Sequence, residues 1–303
     1  MPTRLEVTKT YKLYIDGKFP RSESGRSMII TRDSTSIHVC KASRKDYRDA
    51  VEAARKAQPG WAASTAYLRG QILYRIAEML EGKRDELVAL SEPDAPARVG
   101  RTATKGARSA KTPRPQSAAA EIQASIDRLI CYAGWADKYA QVLGCNNPVS
   151  GPFYNFTVPE PTGVVTVIAP DAPPLLGLIS LLAPAICSGN TAICIASQSN
   201  PLPALVLAEA CATGDVPAGV VNILSAERNE LLKVIAGHRD TDAILAANLS
   251  AADAAILKEG VAENLKRVTV RDVPDWFDNA ACNSPWWIEP MVEMKTIWHP
   301  ASV

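Results

Sequence analysis

The stretch Gly163-Val164-Val165-Thr166-Val167-Ile168-Ala169-Pro170 decides the fold. It is a short β-branched run with no charge in it, closed by a proline, and it reads as a strand buried on both faces. The pattern then repeats. Apolar runs at 164–169, 191–196, 220–224, 242–246 and 266–270 alternate with helical stretches near 174–188, 201–213, 228–237 and 251–263. This rhythm predicts an α/β fold built on a five-stranded parallel sheet with helices on both faces. Sheets of this kind place ligands at the C-terminal ends of their strands.

Upstream, Tyr11 to Ile15 leads into the hairpin signal Asp16-Gly17, and residues 11–31 read as short strands. Ser43 with Asp46 three positions on starts a helix that Pro59-Gly60 should end. A longer helix from about Tyr67 carries Leu68, Ile72, Leu73, Ile76, Leu80, Leu87 and Leu90 at three-to-four spacing, so one face is buried. A further helix from Glu121 to about Tyr139 sets Ile122, Ile126, Leu129, Ile130 and Ala133 on one side, and Tyr154 to Val158 alternates as a short strand.

Between these helices, 95–120 holds Arg98, Arg101, Lys105, Arg108, Lys111 and Arg114 among Ala, Gly, Ser, Thr and Pro, with no acidic residue. Such a stretch cannot bury enough surface to order itself strongly. It reads as a flexible surface loop, the other reading being a basic tether for an acidic partner. The organisation expected is 1–94 as an N-terminal hairpin and helices, 95–120 as the basic loop, 121–271 as the α/β domain and 272–303 as a tail.

Composition narrows the function. With 33 basic against 32 acidic residues the net charge is +1, which removes the electrostatic argument for nucleic-acid binding. Hydrophobic residues at 47% suffice for a sizeable core and exclude a disordered chain. The longest apolar stretch, Val164 to Cys187, is broken by Asp171 and by Pro170, Pro173, Pro174 and Pro184, so no membrane span is expected. The 7 cysteines are scattered with no CxxC pair, as expected of reduced thiols in a cytoplasmic protein. His38 and Cys40 lack a second pair to complete a metal site, and none is expected.

The motifs resemble the cofactor-binding half of the aldehyde dehydrogenase superfamily, a Rossmann-like fold. The resemblance rests on Gly163 to Pro170, on Leu182-Ala183-Pro184-Ala185 with Ser188-Gly189-Asn190-Thr191, and on Val216-Pro217-Ala218-Gly219-Val220-Val221-Asn222, in that order. Tyr14-Ile15-Asp16-Gly17, Gly60-Trp61, Trp135-Ala136 and Pro159-Glu160-Pro161-Thr162-Gly163 agree with it, so residues 11–92 and 121–271 are covered. It implies NAD or NADP as cofactor, a Cys nucleophile, an Asn that holds the oxyanion, and a Glu general base.

The chemistry-bearing positions depart from that pattern. Ala172 stands where the Asn belongs and cannot donate the hydrogen bond, worth about 3 kcal/mol in an oxyanion hole. Ile195 replaces the Lys that grips the ribose, leaving Ser197 and Gln198 for weak polar contacts, with Ile168 and Asn248 as further remnants of the cofactor site. Asn248 and Asp253 replace glycines of the pyrophosphate turn, and Ala226 replaces another. Arg271 occupies the place of the general base, and a guanidinium cannot take a proton at neutral pH. Cys282 is the one nucleophile to weigh, but no His pairs with it in sequence, and a structural cysteine is the plainer reading.

After the fifth strand the family continues into its catalytic domain, whereas residues 289–298 here resemble the family's extreme C-terminal assembly strand. The expectation is a non-catalytic homologue, with no cofactor, that serves as a partner subunit of a full-length aldehyde dehydrogenase or associates with itself. Of 6 tryptophans, Trp286, Trp287 and Trp298 crowd into the tail. With Met294 and Ile297 they are the candidate interface residues, the alternative being a tail that folds back on its own sheet. Two rivals stand beside this reading. One is an NAD(P)-dependent oxidoreductase or nucleotide binder with unconventional residues. The other is a metabolite-binding module in which Asp171, Arg271 and Asp272 converge.

Overall fold

The computed structural model describes residues 9–32, 35–92 and 117–301. Most of the basic stretch expected at 95–120 lies outside the described residues. Its end does not continue as a loop, because Ser117 caps a helix through its hydroxyl and Ala118 opens it.

The chain begins with β1 (Thr10–Tyr11), β2 (Ser27–Arg32) and β3 (Thr35–Cys40), which form a small sheet in the order β1-β3-β2. The Asp16-Gly17 signal holds: both residues have positive φ, at 53° and 71°, and Ile15 and Lys18 exchange backbone hydrogen bonds across them. Helix α1 (Arg44–Ala62) starts at the capping box of Ser43 and Asp46. It runs through Pro59 instead of stopping there, because Trp61 is buried and its Nε1 donates to Ile186 O at 3.0 Å.

The long helix expected from Tyr67 to Leu90 is two, α2 (Ala66–Glu81) and α3 (Arg84–Ser91), broken at Gly82-Lys83 so that Leu87 turns into the core. Leu68, expected on the buried face, is 46% exposed. Arg69 is buried in its stead, with Nε on Cys187 O at 3.0 Å and Nη1 on Ser64 O at 2.6 Å. Helix α4 (Ala118–Trp135) ends before a short α5 (Tyr139–Leu143). Ile130, expected inside, is exposed, and the inner face carries Ile122, Ile126, Leu129 and Tyr132 together with Arg128. Strands β4 (Cys145–Asn147) and β5 (Phe153–Pro161) follow.

The α/β body alternates β6 (Val164–Ile168), α6 (Pro174–Cys187), β7 (Thr191–Ile195), α7 (Leu202–Thr213), β8 (Val221–Leu224), α8 (Arg228–Gly237), β9 (Ala243–Ala247), α9 (Ala251–Gly260) and β10 (Arg267–Arg271). All five strands are parallel, in the order β10-β9-β6-β7-β8. Side chains alternate between two cores. Val165 and Val167 pack with α2, α4, α6 and α7, whereas Val164 and Ile168 pack with α1, α8 and α9. Gly163 opens β6 at φ +134°, where an added Cβ would stand 2.1 Å from Asp242 Oδ2. The order reverses between β6 and β9, which places the crevice of such a sheet at their C-terminal ends.

Beyond Arg271 a short α10 (Asn279–Cys282) and two 3₁₀ turns lead to β11 (Val292–Pro300). It pairs antiparallel with β5 along all nine residues, from Val292↔Pro161 to Pro300↔Phe153. That partner, remote in sequence, makes β5 longer than the five residues its alternation suggests. No helix among the described residues is long and apolar enough to cross a membrane.

Candidate functional site

The C-terminal end of β6 is closed by an ion pair. The Arg228 guanidinium grips Asp171 on both oxygens, Nη2 to Oδ1 at 2.9 Å and Nη1 to Oδ2 at 3.2 Å, and Nη2 also reaches Ala169 O at 3.3 Å. The β7 end is tied into the same knot. Gln198 N donates to Asp171 Oδ1 at 3.1 Å, and Gln198 Oε1 accepts from Arg228 N at 3.0 Å. The hydroxyls of Ser197 and Ser199 donate to Asp171 O at 3.2 and 2.8 Å. Ser197 and Gln198 thus have their hydrogen bonds within the chain, and Ile168 and Ile195 are buried in the core. Ala172 sits exposed at the mouth with only a methyl group to offer.

The N-terminus of α6 is already occupied by a carboxyl group of the chain itself. Glu121 Oε1 accepts from Leu175 N at 2.8 Å and from Leu176 N at 3.2 Å. Burial pushes its carboxyl pKa up, and the two backbone N–H groups pull against that shift. Glu121 and Arg228, which close this end of the sheet, are not singled out by the sequence pattern.

At the other side of the sheet, Arg271 ends β10. Its guanidinium lies 4.3 Å from the Trp287 ring centroid and Nη2 donates to Trp286 O at 2.9 Å. Burial lowers its pKa, yet no proton-accepting group stands in the place of the expected base. The turn after β9 is held by Asn248, at φ +52°. Its Nδ2 donates to Val273 O at 3.0 Å and its Oδ1 accepts from Val273 N at 2.7 Å. Asp253 lies in the first turn of α9, capped by Ser250. A cavity of about 400 Å³ opens here, lined by Arg271, Asp272, Val273, Asp275, Cys282 and Trp287 among others. Arg271 and Asp272 share it, whereas Asp171 is bound to Arg228 and does not line it, so the three do not converge.

Cys282 is buried, its Sγ 3.7 Å from Asp275 O, and burial pushes its thiol pKa up. The segment around it is docked on α4. Tyr132 Oη donates to Cys282 O at 3.0 Å, Trp135 Nε1 to Asn283 O at 3.0 Å, and buried Arg128 Nη2 to Trp276 O at 3.0 Å. Trp276 and Trp287 pack at 6.0 Å between ring centroids, and Trp287 Nε1 donates to Ala281 O at 2.8 Å. The tail tryptophans therefore divide. Trp287 is buried in the chain's own tail and is not a surface residue as an interface role requires, while Trp286, Met294 and Trp298 are 55%, 44% and 58% exposed. Ile297 is half-buried.

The residues present do not fit a dinucleotide. Ile195 offers no ribose contact, Ser197 and Gln198 are spent on Asp171 and Arg228, and Asn248 fills the turn where a pyrophosphate would need close approach. Carboxylates of Glu121 and Asp253 stand at the two helix starts that would receive phosphate.

Comparison with known proteins agrees with the fold. The model of the aldehyde dehydrogenase family matches residues 27–271. The chain is 33% identical over 272 residues to retinal dehydrogenase 2 of Mus musculus, covering 88% of this chain and 49% of that protein. It is 31% identical over 274 residues to aldehyde dehydrogenase, cytosolic 1, of Elephantulus edwardii, covering 88% and 51%. The NAD+ complex of an aldehyde dehydrogenase from Bacillus cereus superimposes with a TM-score of 0.75 at 26% identity, covering 87% of this chain and 51% of that one. The chain spans about half the length of the curated relatives it matches. By sheet, motif order and match, it belongs to the aldehyde dehydrogenase family.

Proposed function

We propose that this family member is non-catalytic, binds neither NAD nor NADP, and works as an assembly subunit, its partner being an active aldehyde dehydrogenase subunit or a second copy of itself. The observation that carries the reading is Arg271. A guanidinium takes the place of the general base and is held by the chain's own tail, stacked on Trp287 and bonded to Trp286 O. The exposed Trp286, Met294 and Trp298 support an interface role. A cytosolic setting, which keeps thiols reduced, belongs to the same proposal.

The test is titration of the chain with NAD and NADP, followed by calorimetry and by tryptophan fluorescence, which Trp287 beside the cavity would report. No saturable signal and no aldehyde oxidation are expected. Submillimolar binding of either nucleotide overturns the reading.

A further inference from the structure

The cavity beside the end of β10 carries charge that an assembly role leaves unused. It encloses about 400 Å³, the size of a small-molecule site. It lies at the C-terminal end of a strand of the parallel sheet, where such sheets receive ligands. Its walls are pinned. The Cys282 carbonyl takes the Tyr132 hydroxyl at 3.0 Å, and Trp287 Nε1 donates to Ala281 O at 2.8 Å. Walls fixed in this way lose little freedom when a ligand enters.

Arg271 is the unusual group in it. The side chain is half-buried, with its guanidinium 4.3 Å from the Trp287 ring centroid. Nη2 reaches Trp286 O at 2.9 Å, Nε is buried without an acceptor, and Nη1 donates to no described residue. No described carboxylate forms an ion pair with it, in contrast to Arg228, which Asp171 meets on both oxygens. A partly desolvated cation without a counter-ion is costly, and the planar fork of a guanidinium suits a carboxylate.

Three carboxylates line the same cavity, those of Asp272, Asp275 and Asp278. Asp272 is exposed and accepts no hydrogen bond from a described residue. Asp275 uses Oδ1 on Phe277 N at 2.9 Å, and Asp278 uses Oδ1 on Ala280 N and Ala281 N at 2.9 and 3.1 Å, so each keeps an Oδ2 without a donor. A simple anion drawn to Arg271 is therefore repelled by the rest of the wall. A simple cation drawn to the carboxylates leaves the guanidinium unpaired. A molecule that carries both charges meets both demands.

The geometry points to this cavity as a binding site for a small amino acid in its zwitterionic form, with the carboxylate on Arg271 and the ammonium group among Asp272, Asp275 and Asp278. The inference adds a ligand to the chain and does not depend on whether the chain assembles, so either reading can fail without the other.

Calorimetry and tryptophan fluorescence on the full chain, at fixed ionic strength, test it with glycine, β-alanine, γ-aminobutyrate and δ-aminovalerate as probes of increasing charge separation. At least one should bind saturably in the millimolar range or tighter. Butanoate and butylamine, with one charge each, should bind about tenfold more weakly or worse. Arg271→Gln should weaken the best amino acid about tenfold or more. Should that variant loosen the tail, Asp272→Asn decides, because exposed Asp272 holds no other group in place. It should weaken the amino acid several-fold and strengthen butanoate, whose repulsion it relieves. No saturable signal from any of the four amino acids, butylamine binding as tightly as the best of them, or an affinity unmoved by Asp272→Asn overturns the inference.

Discussion

Arg228 holds Asp171 by two parallel hydrogen bonds, at 2.9 and 3.2 Å, across the C-terminal ends of β6 and β8. The guanidinium side chain is largely buried and the carboxylate half-exposed, so each half of the pair costs differently when removed. Asp171→Ala leaves a desolvated cation and an orphaned Gln198 N–H, and should lower unfolding stability by about 1–2 kcal/mol, solvent access at Asp171 keeping it below the cost of a fully buried pair. Asp171→Asn, which keeps an acceptor for Gln198, should cost less. Urea midpoints of the two variants check the order.

Asn248 and Val273 give a second series. Asn248→Gly keeps the positive φ without strain and loses both bonds to Val273. Asn248→Ala loses the bonds and must also hold a left-handed backbone. The glycine variant should cost about 1–2 kcal/mol, and the alanine variant about 1 kcal/mol more. Thermal midpoints that fall in the reverse order would show that the clasp does not set the turn.

Glu121 makes stability depend on pH in a definite direction. Burial raises its folded pKa above the unfolded value of about 4.3. Between those two values the folded state binds more protons than the unfolded one, so this group's contribution falls as pH rises through the window and is then flat. Glu121→Gln retains the acceptor for Leu175 and Leu176 without the charge. The variant should match or exceed the wild type at neutral pH, and the difference between them should shrink as pH is lowered below the folded pKa. A loss of stability at neutral pH in Glu121→Gln would mean that the charge itself secures the helix start.

The sheet was readable because its signals are local. The β-branched runs at 164–168 and 191–195, and the Ser43 and Asp46 box, each dictate their own structure and need no distant partner. The misses share a different cause. Pro59 inside α1 depends on Trp61 reaching Ile186, and the length of β5 depends on β11, both far along the chain. Arg69, Arg128, Glu121 and Arg228 read as solvent-facing charges in a periodicity count, yet each is buried against backbone carbonyls, N–H groups or a carboxylate that only the folded chain brings near. At the site, the substitutions at Ala172, Ile195 and Arg271 were legible, whereas the way the chain itself uses the vacated positions was not.

Cys282 offers the sharpest contrast with an active family member. A catalytic thiol needs a lowered pKa and access. Here the thiol is buried, its pKa is raised by that burial, and the Tyr132 hydroxyl pins its backbone. Cys145 by comparison is exposed. Brief treatment with iodoacetamide near neutral pH should label Cys145 first and leave Cys282 untouched until denaturant is added, as peptide mass analysis would show. Cys282→Ser should leave assembly unaltered. Rapid labelling of Cys282 in the folded chain would reveal that the segment pinned by Tyr132 opens.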